Sequence, residues 1–235
     1  MKRKDPREKE RRIKITKNGP YLLSGKIPIS KGVMVADANG DPEKWKEEGK
    51  IASEEECSLC RCGKSSKKPF CTGAHLENGF DGTETASTHD KFMDDASVNT
   101  GPDLILLDNE KLCIGAGFCH RKGGTWDLTE HSDVKECRDL AIEQCSNCPS
   151  GRLVALDKKT RKPIETIFNP SIVLIEHPKN LVSGPLWIRG DITIESAKGK
   201  EYEKRNRVTL CRCGNSSNKP FCDGTHIDIN FKDSE

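Results

Sequence analysis

Two sixteen-residue runs constrain this chain more than anything else in it. CRCGKSSKKPFCTGAH spans Cys60 to His75, and CRCGNSSNKPFCDGTH spans Cys211 to His226. Each reads C-x-C-x8-C-x3-H. Side chains two apart share one face of an extended strand, so Cys60 and Cys62, or Cys211 and Cys213, point the same way. Cys71 and His75, like Cys222 and His226, are four apart and share one face of a helical turn. Thr72 and Asp223 read as N-caps of those turns. Gly63 and Gly214 suit a bend after the first pair, and Pro69 and Pro220 stiffen the approach to the second. Two strand ligands and two helix-start ligands can thus meet at one centre. Three thiolates and an imidazole suit tetrahedral zinc. They also suit a 2Fe–2S cluster with one thiolate replaced by histidine. Spacing alone leaves both open.

Composition explains why a chain would need such centres. Only 33% of the 235 residues are hydrophobic and 5% aromatic, which argues against a single large apolar core. Small, weak cores are usually completed by metals or disulfides. Twelve cysteines could serve either way. The N-terminal MKRKDPREKERRIKITKNG has no apolar segment of the kind a secretion signal needs. The longest aliphatic runs, LILL and IVLI, are far too short for a membrane span. The expectation is a cytoplasmic protein with thiolate ligands and no membrane association. The net charge of +2, from 39 basic and 37 acidic residues, argues against nucleic acid as a partner.

The fold class expected is α+β and β-rich, in an A–B–A′ arrangement. Short β-prone runs (KIT, YLLSGKI, VMV) lead through the polar stretch DANGDPEKWKEEGK to the first loop, giving a module over 13–83. Residues 84–102 read as a linker. A different module spans 103–165, with a strand at LILLD, a helix over 133–146 and a strand at RLVALD. IVLIE, PLWIRG, DITIE and NRVTL then lead to the second loop in a module over 170–235. GPYLLSG at 19–25 resembles PKNLVSG at 178–184, with 34 residues to the first loop against 26 to the second.

The loops resemble the motif of the CDGSH iron–sulfur (mitoNEET-like) family. Cys60, Cys62, Ser65, Pro69, Cys71, Gly73 and His75 match it, as do Cys211, Cys213, Ser216, Pro220, Cys222, Asp223, Gly224, Thr225 and His226. The resemblance implies two 2Fe–2S clusters, each held by three Cys and one His with the histidine near solvent. It also implies pairing of the two modules about a pseudo-twofold axis, so that the chain is a monomer containing an internal pseudo-dimer. Thr72 replaces the family's Asp in the first loop, and Ala74 and Thr225 stand where the family name has Ser. Ala74 lacks a hydroxyl for a hydrogen bond to the cluster, which predicts a less stable first site.

In the middle module, CIGAGFC holds Cys113 and Cys119 as C-x2-A-x2-C, and Cys148-Pro149 follows. Bacterial ferredoxins use C-x2-C-x2-C and a remote C-P. With Ala116 in the middle ligand position, this region resembles divergent single-cluster ferredoxins in which three cysteines bind 3Fe–4S. Cys145, one turn before Cys148, is the alternative fourth ligand of a 4Fe–4S cluster.

Other residues carry blander expectations. Cys57 and Cys137 read as packing positions, and Trp45, Trp126 and Trp187 as packed aromatics. His89, His120, His131 and His177 read as surface or satisfied histidines. Lys68 and Lys219 would place a positive charge near each centre. No nucleotide fingerprint, nucleophile elbow or catalytic carboxylate pair stands out. The expected function is therefore not enzymatic. It is one-electron transfer, or redox-gated cluster transfer, to a redox or cluster-acceptor protein. A zinc-stabilised interaction module and an electron-transfer subunit of a larger oxidoreductase are the alternatives.

Overall fold

The computed structural model describes residues 10–177 and 181–233. The charged segment 1–9 and positions 178–180 of the PKNLVSG stretch lie outside the described residues. The protein is β-rich α+β, as expected. The first half supplies β1 (Arg12–Ile15), β2 (Tyr21–Ser24), β3 (Ile29–Ala36), β4 (Pro42–Ile51) and β5 (Glu56–Leu59). The middle module contributes β6 (Ser97–Thr100), β7 (Leu104–Asp108), α1 (Thr125–Glu130), α2 (Lys135–Asn147) and β8 (Leu153–Asp157). The last part holds β9 (Ser171–His177), β10 (Val182–Arg189), β11 (Thr193–Glu195), β12 (Arg207–Leu210) and α3 (Thr225–Asp228).

The two CDGSH-type halves exchange strands. One sheet runs β11-β1-β2-β5 and another β12-β10-β9-β3-β4. Each half keeps an antiparallel core, β1-β2-β5 or β9-β10-β12. Each lends its third strand to the other: β11 lies parallel to β1, with Ile13 opposite Ile194, and β3 lies parallel to β9, with Gly32 opposite Ile175. This is the internal pseudo-dimer. The exchange also overturns the expectation of no large core. Ile13, Tyr21, Leu23 and Leu59 join Ile172, Leu186, Ile188 and Leu210 in one buried cluster. Two half-sized apolar faces, each too small alone, close on one another.

The strand pairing corrects the repeat read from the paired Ser-Gly steps. Leu23 lies opposite Cys57, whereas Ile188 lies opposite Val208, the residue aligned with Cys57. Leu23 therefore corresponds to Ile188, and Gly25 to Gly190 rather than Gly184. Both Gly25 (φ 83) and Gly190 (φ 77) have a left-handed backbone, which glycine adopts without strain. The polar stretch before the first loop takes up regular structure. Its charged run forms β4, an edge strand whose lysines and glutamates face water and block further pairing. Nor is 84–102 a free linker: the Thr85 and Ala86 N–H groups donate to the Lys219 carbonyl at 2.8 and 2.9 Å, and β6 pairs with β7.

Candidate metal centres

Both loops are built alike. At the end of β5, the Cys60 N–H donates to the Pro69 carbonyl (2.7 Å), and the Cys71 N–H to that of Ser58 (2.9 Å). After β12, the Cys211 N–H donates to the Pro220 carbonyl (2.9 Å), and the Cys222 N–H to that of Thr209 (3.0 Å). Each loop therefore folds back on its own strand. Ser65 and Ser216 donate their hydroxyls to the Phe70 and Phe221 carbonyls at 2.5 and 2.7 Å.

The ligand candidates fall into pairs. The Cys60 and Cys62 sulfurs are 3.8 Å apart, and those of Cys211 and Cys213 3.6 Å. The Cys71 sulfur lies 3.5 Å from His75 Nδ1, and the Cys222 sulfur 3.3 Å from His226 Nδ1. In both loops Nδ1 is the nitrogen turned toward sulfur. Among the described residues, no three or more Cys, His, Asp or Glu gather as a site for one metal ion. The sulfur contact pulls Cys211 down to about 6 and pushes Cys213 up, one thiolate being held by the other's S–H.

The capping expectation is shifted by one residue. Gly73 and Gly224, both left-handed, hold the cap position. Asp223 instead ties its loop together, accepting from Ser217 N–H and hydroxyl at 2.8 and 2.6 Å and from the Thr225 hydroxyl at 2.7 Å. Thr225 is thus engaged by Asp223. In the first loop, the Thr72 hydroxyl meets that of Ser65 (3.1 Å) and, among the described residues, no other side chain by hydrogen bond. What the first loop lacks is this carboxylate brace.

The sites contact each other back to back. A Cβ on Gly63 would lie 2.6 Å from the Cys213 carbonyl oxygen, and one on Gly214 would lie 2.8 Å from that of Cys62. From the other half, the Tyr21 hydroxyl donates to the Cys211 carbonyl at 2.7 Å.

They differ in exposure. Cys211, Cys213, Cys222 and His226 are all buried, whereas Cys71 and His75 are half-exposed. The resemblance put each histidine near solvent; the second is instead 1% exposed, because the middle module and β9 close over it. A Cβ on Gly224 would lie 3.4 Å from the Cys113 carbonyl, and Ile114 packs with Cys222. His177 is neither a surface nor a satisfied histidine. It is 2% exposed, its ring lies 5.5 Å from that of His226, and the Nε2 atoms of both lack a hydrogen-bond partner among the described residues.

Burial, aided by the Arg212 charge, pulls His177 down to about 4. The unfolded chain takes up this proton near pH ~6.5. The contribution of His177 is thus present above that pH and lost as pH falls toward the folded value. Thermal melts of the purified protein are expected to drop across this window, and His177→Phe to flatten the drop. An identical profile in the variant would show that His177 does not carry it.

The middle module brings Cys113, Cys119 and Cys148 to the wall of one small apolar cavity, with Ala116, Phe118 and Arg152. Burial pushes the Cys119 thiol up to about 11. Cys145 does not line the cavity; it packs behind it with Leu106, Leu153 and Ala155. Two arginines that the sequence did not single out hold this site. Arg152 bonds both carboxylate oxygens of Asp108 at 2.6 and 2.8 Å and lines the cavity together with Cys113. Arg207, on β12 and 2% exposed, donates to the carbonyls of Cys148 (2.8 Å), Cys145 (2.9 Å) and Leu153 (3.1 Å) and pairs with Glu165. Cys57 and Cys137 pack against core clusters.

Two family models match the parts of the chain that carry the Cys/His loops and the cysteine-lined cavity, and together they support an iron–sulfur protein. The family described as iron-binding zinc finger CDGSH type matches residues 18–76 and 183–227. The family described as divergent 4Fe-4S mono-cluster matches residues 99–158 between them. The chain carries two CDGSH-type regions with a divergent mono-cluster region between them. No curated protein and no solved structure matches it.

Proposed function

We propose that the protein carries single electrons to and from a partner protein and catalyses no reaction of its own. The first site is Cys60, Cys62, Cys71 and His75; the second is Cys211, Cys213, Cys222 and His226; each would hold a 2Fe–2S cluster. The observation that supports this reading is the pairing of the ligands. A lone zinc ion wants four donors around one point, whereas a two-iron cluster takes two donors per iron. Both loops offer two-and-two, with Cys60, Cys62 and all four donors of the second loop buried. When bound, such clusters supply one-electron redox chemistry.

Around that chemistry, the chain's residues hold the donors and limit water. Tyr21 fixes the Cys211 backbone, and Ile114 and His177 cover the outer pair of the second site. This enclosure favours electron transfer over cluster release there, since an electron can leave a closed site and a cluster cannot. Cys113, Cys119 and Cys148 fit a third cluster held by three thiolates, with Arg152 in the same cavity wall. We read it as 3Fe–4S, because Cys145 stands behind the cavity wall.

Anaerobic purification with iron, sulfide and paramagnetic-resonance analysis tests the reading. The expected result is iron with matching acid-labile sulfide, and an odd-electron signal from the third centre in the oxidised protein. Zinc without sulfide would overturn it. Cys145→Ala is expected to leave the third signal intact; its loss in that variant would make Cys145 a ligand and the centre 4Fe–4S.

A further inference from the structure

We infer that the first CDGSH-type loop is the docking face for an acidic redox protein, and that the second loop has no such role. This rests on the reading of the loops as redox centres and adds the kind of partner and the place where it binds.

The pseudo-twofold axis supplies an internal control, because each position of one loop has a counterpart in the other. At the positions of Lys64, Lys67 and Lys68, the second loop has Asn215, Asn218 and Lys219. All three of the latter bond inward. Asn215 donates to the Cys213 carbonyl (2.9 Å), Asn218 to that of Lys111 (3.1 Å), and Lys219 to that of Ser216 (2.8 Å). Among the described residues, the ammonium groups of Lys64, Lys67 and Lys68 have no ion-pair or hydrogen-bond partner. Lys64 and Lys67 are exposed. They flank Ser65, whose hydroxyl is 3.1 Å from that of Thr72, so this turn sits beside Cys71. Residues 60–76 contain four basic residues and no acid, whereas 211–227 contain two basic residues and Asp223.

The same loop is the open one. Its outer pair, Cys71 and His75, reaches the surface, while Cys222 and His226 do not. Leu76, directly after His75, is 81% exposed. An exposed apolar residue next to the most accessible ligand, on a loop that also carries three unpaired lysines, has the ingredients of an interface with a small apolar centre and a charged rim. A rim of one sign steers a partner of the opposite sign and sets its orientation. The near-neutral net charge and the smallness of the patch favour a protein over a polyanion, which would need a longer basic track.

The test measures binding, so that it does not depend on cluster activity. Flavodoxin serves as a strongly acidic one-electron carrier, and cytochrome c as a basic one. The purified protein is expected to bind flavodoxin with an affinity that falls as salt rises. Lys64→Gln/Lys67→Gln/Lys68→Gln is expected to weaken that binding roughly tenfold at low salt, as three rim charges of several tenths of a kcal/mol each would. Lys159→Gln/Lys198→Gln, two exposed lysines outside the loop, is expected to change nothing. Equal binding by both variants, no salt-dependent binding of flavodoxin, preference for cytochrome c, or tighter binding to duplex DNA or anionic vesicles would each overturn the inference. Iron and sulfide are assayed on the same samples. Clusters present with indifferent binding defeat the docking face alone; binding present without iron or sulfide defeats the redox reading alone.

Discussion

Gly214→Ala is expected to strip metal from both CDGSH-type loops, although only one of them contains the substitution. At Gly214, φ is +85, where an ordinary side chain costs about 1 kcal/mol. The added Cβ would also meet the Cys62 carbonyl oxygen at 2.8 Å and its Cα at 3.2 Å. Overpacking of this kind costs roughly a further 1–3 kcal/mol. The atoms that must move belong to a ligand of the first site, so the damage crosses the pseudo-twofold axis. Gly63→Ala should do the same in reverse, against Cys213. Gly73→Ala is the control. Its φ is +86, but nothing lies within 4 Å of the new Cβ, so it should weaken the first site alone. Iron and sulfide per chain, with melting temperature, read the difference. Loss confined to the second site in Gly214→Ala would mean that the back-to-back contact does not link the centres.

Arg207→Met carries the other large effect. The native side chain is fully buried and satisfies three carbonyls of the middle module from a strand of the last half. Removing one partner of a buried, hydrogen-bonded charge costs about 3–5 kcal/mol. For a chain of this size, that is a drop in melting temperature on the order of 10 °C. One freed carbonyl belongs to Cys148, so the third centre should fail first, with the first CDGSH-type site outlasting it. Glu165→Gln, which removes only the outer partner, should give a smaller loss of the same kind. A wild-type melting temperature and an intact third signal in Arg207→Met would count against Arg207 as the link between modules.

The contrast between these arginines and the loop ligands shows what a sequence can disclose. Cys60 through His75 could be read directly, because four donors fall within sixteen residues and their spacing alone puts them in pairs on a strand face and a helical turn. Arg207 could not, since its meaning comes from carbonyls on Cys145 and Cys148 that only folding brings near. His177 was missed for the same reason, its neighbour His226 being placed by the second loop. The run KWKEEGK reads only as part of a polar stretch, because the charges that keep an edge strand from pairing also hide it from a search for apolar alternation. The short helix α1, behind the Gly123-Gly124 pair, left too little periodicity to find. The Ser-Gly repeat misled because likeness of letters outweighed the pairing register, which no single strand displays.

The strand exchange also bears on how the chain comes to be folded. β1 cannot complete its sheet until β11 exists, and β3 waits for β9, so the pairings that close both halves are among the most distant in the chain. Such long-range topology folds slowly, because loop entropy is lost before the contacts that offset it can form. While a ribosome is still making the middle module, β1 and β3 present bare edges, and the first Cys/His loop stands on half a scaffold. Charged β4 covers the other edge of β3, so only the side that awaits β9 stays open in the meantime. A product cut between the halves would therefore leave two open-edged fragments, each carrying one Cys/His loop on an incomplete sheet.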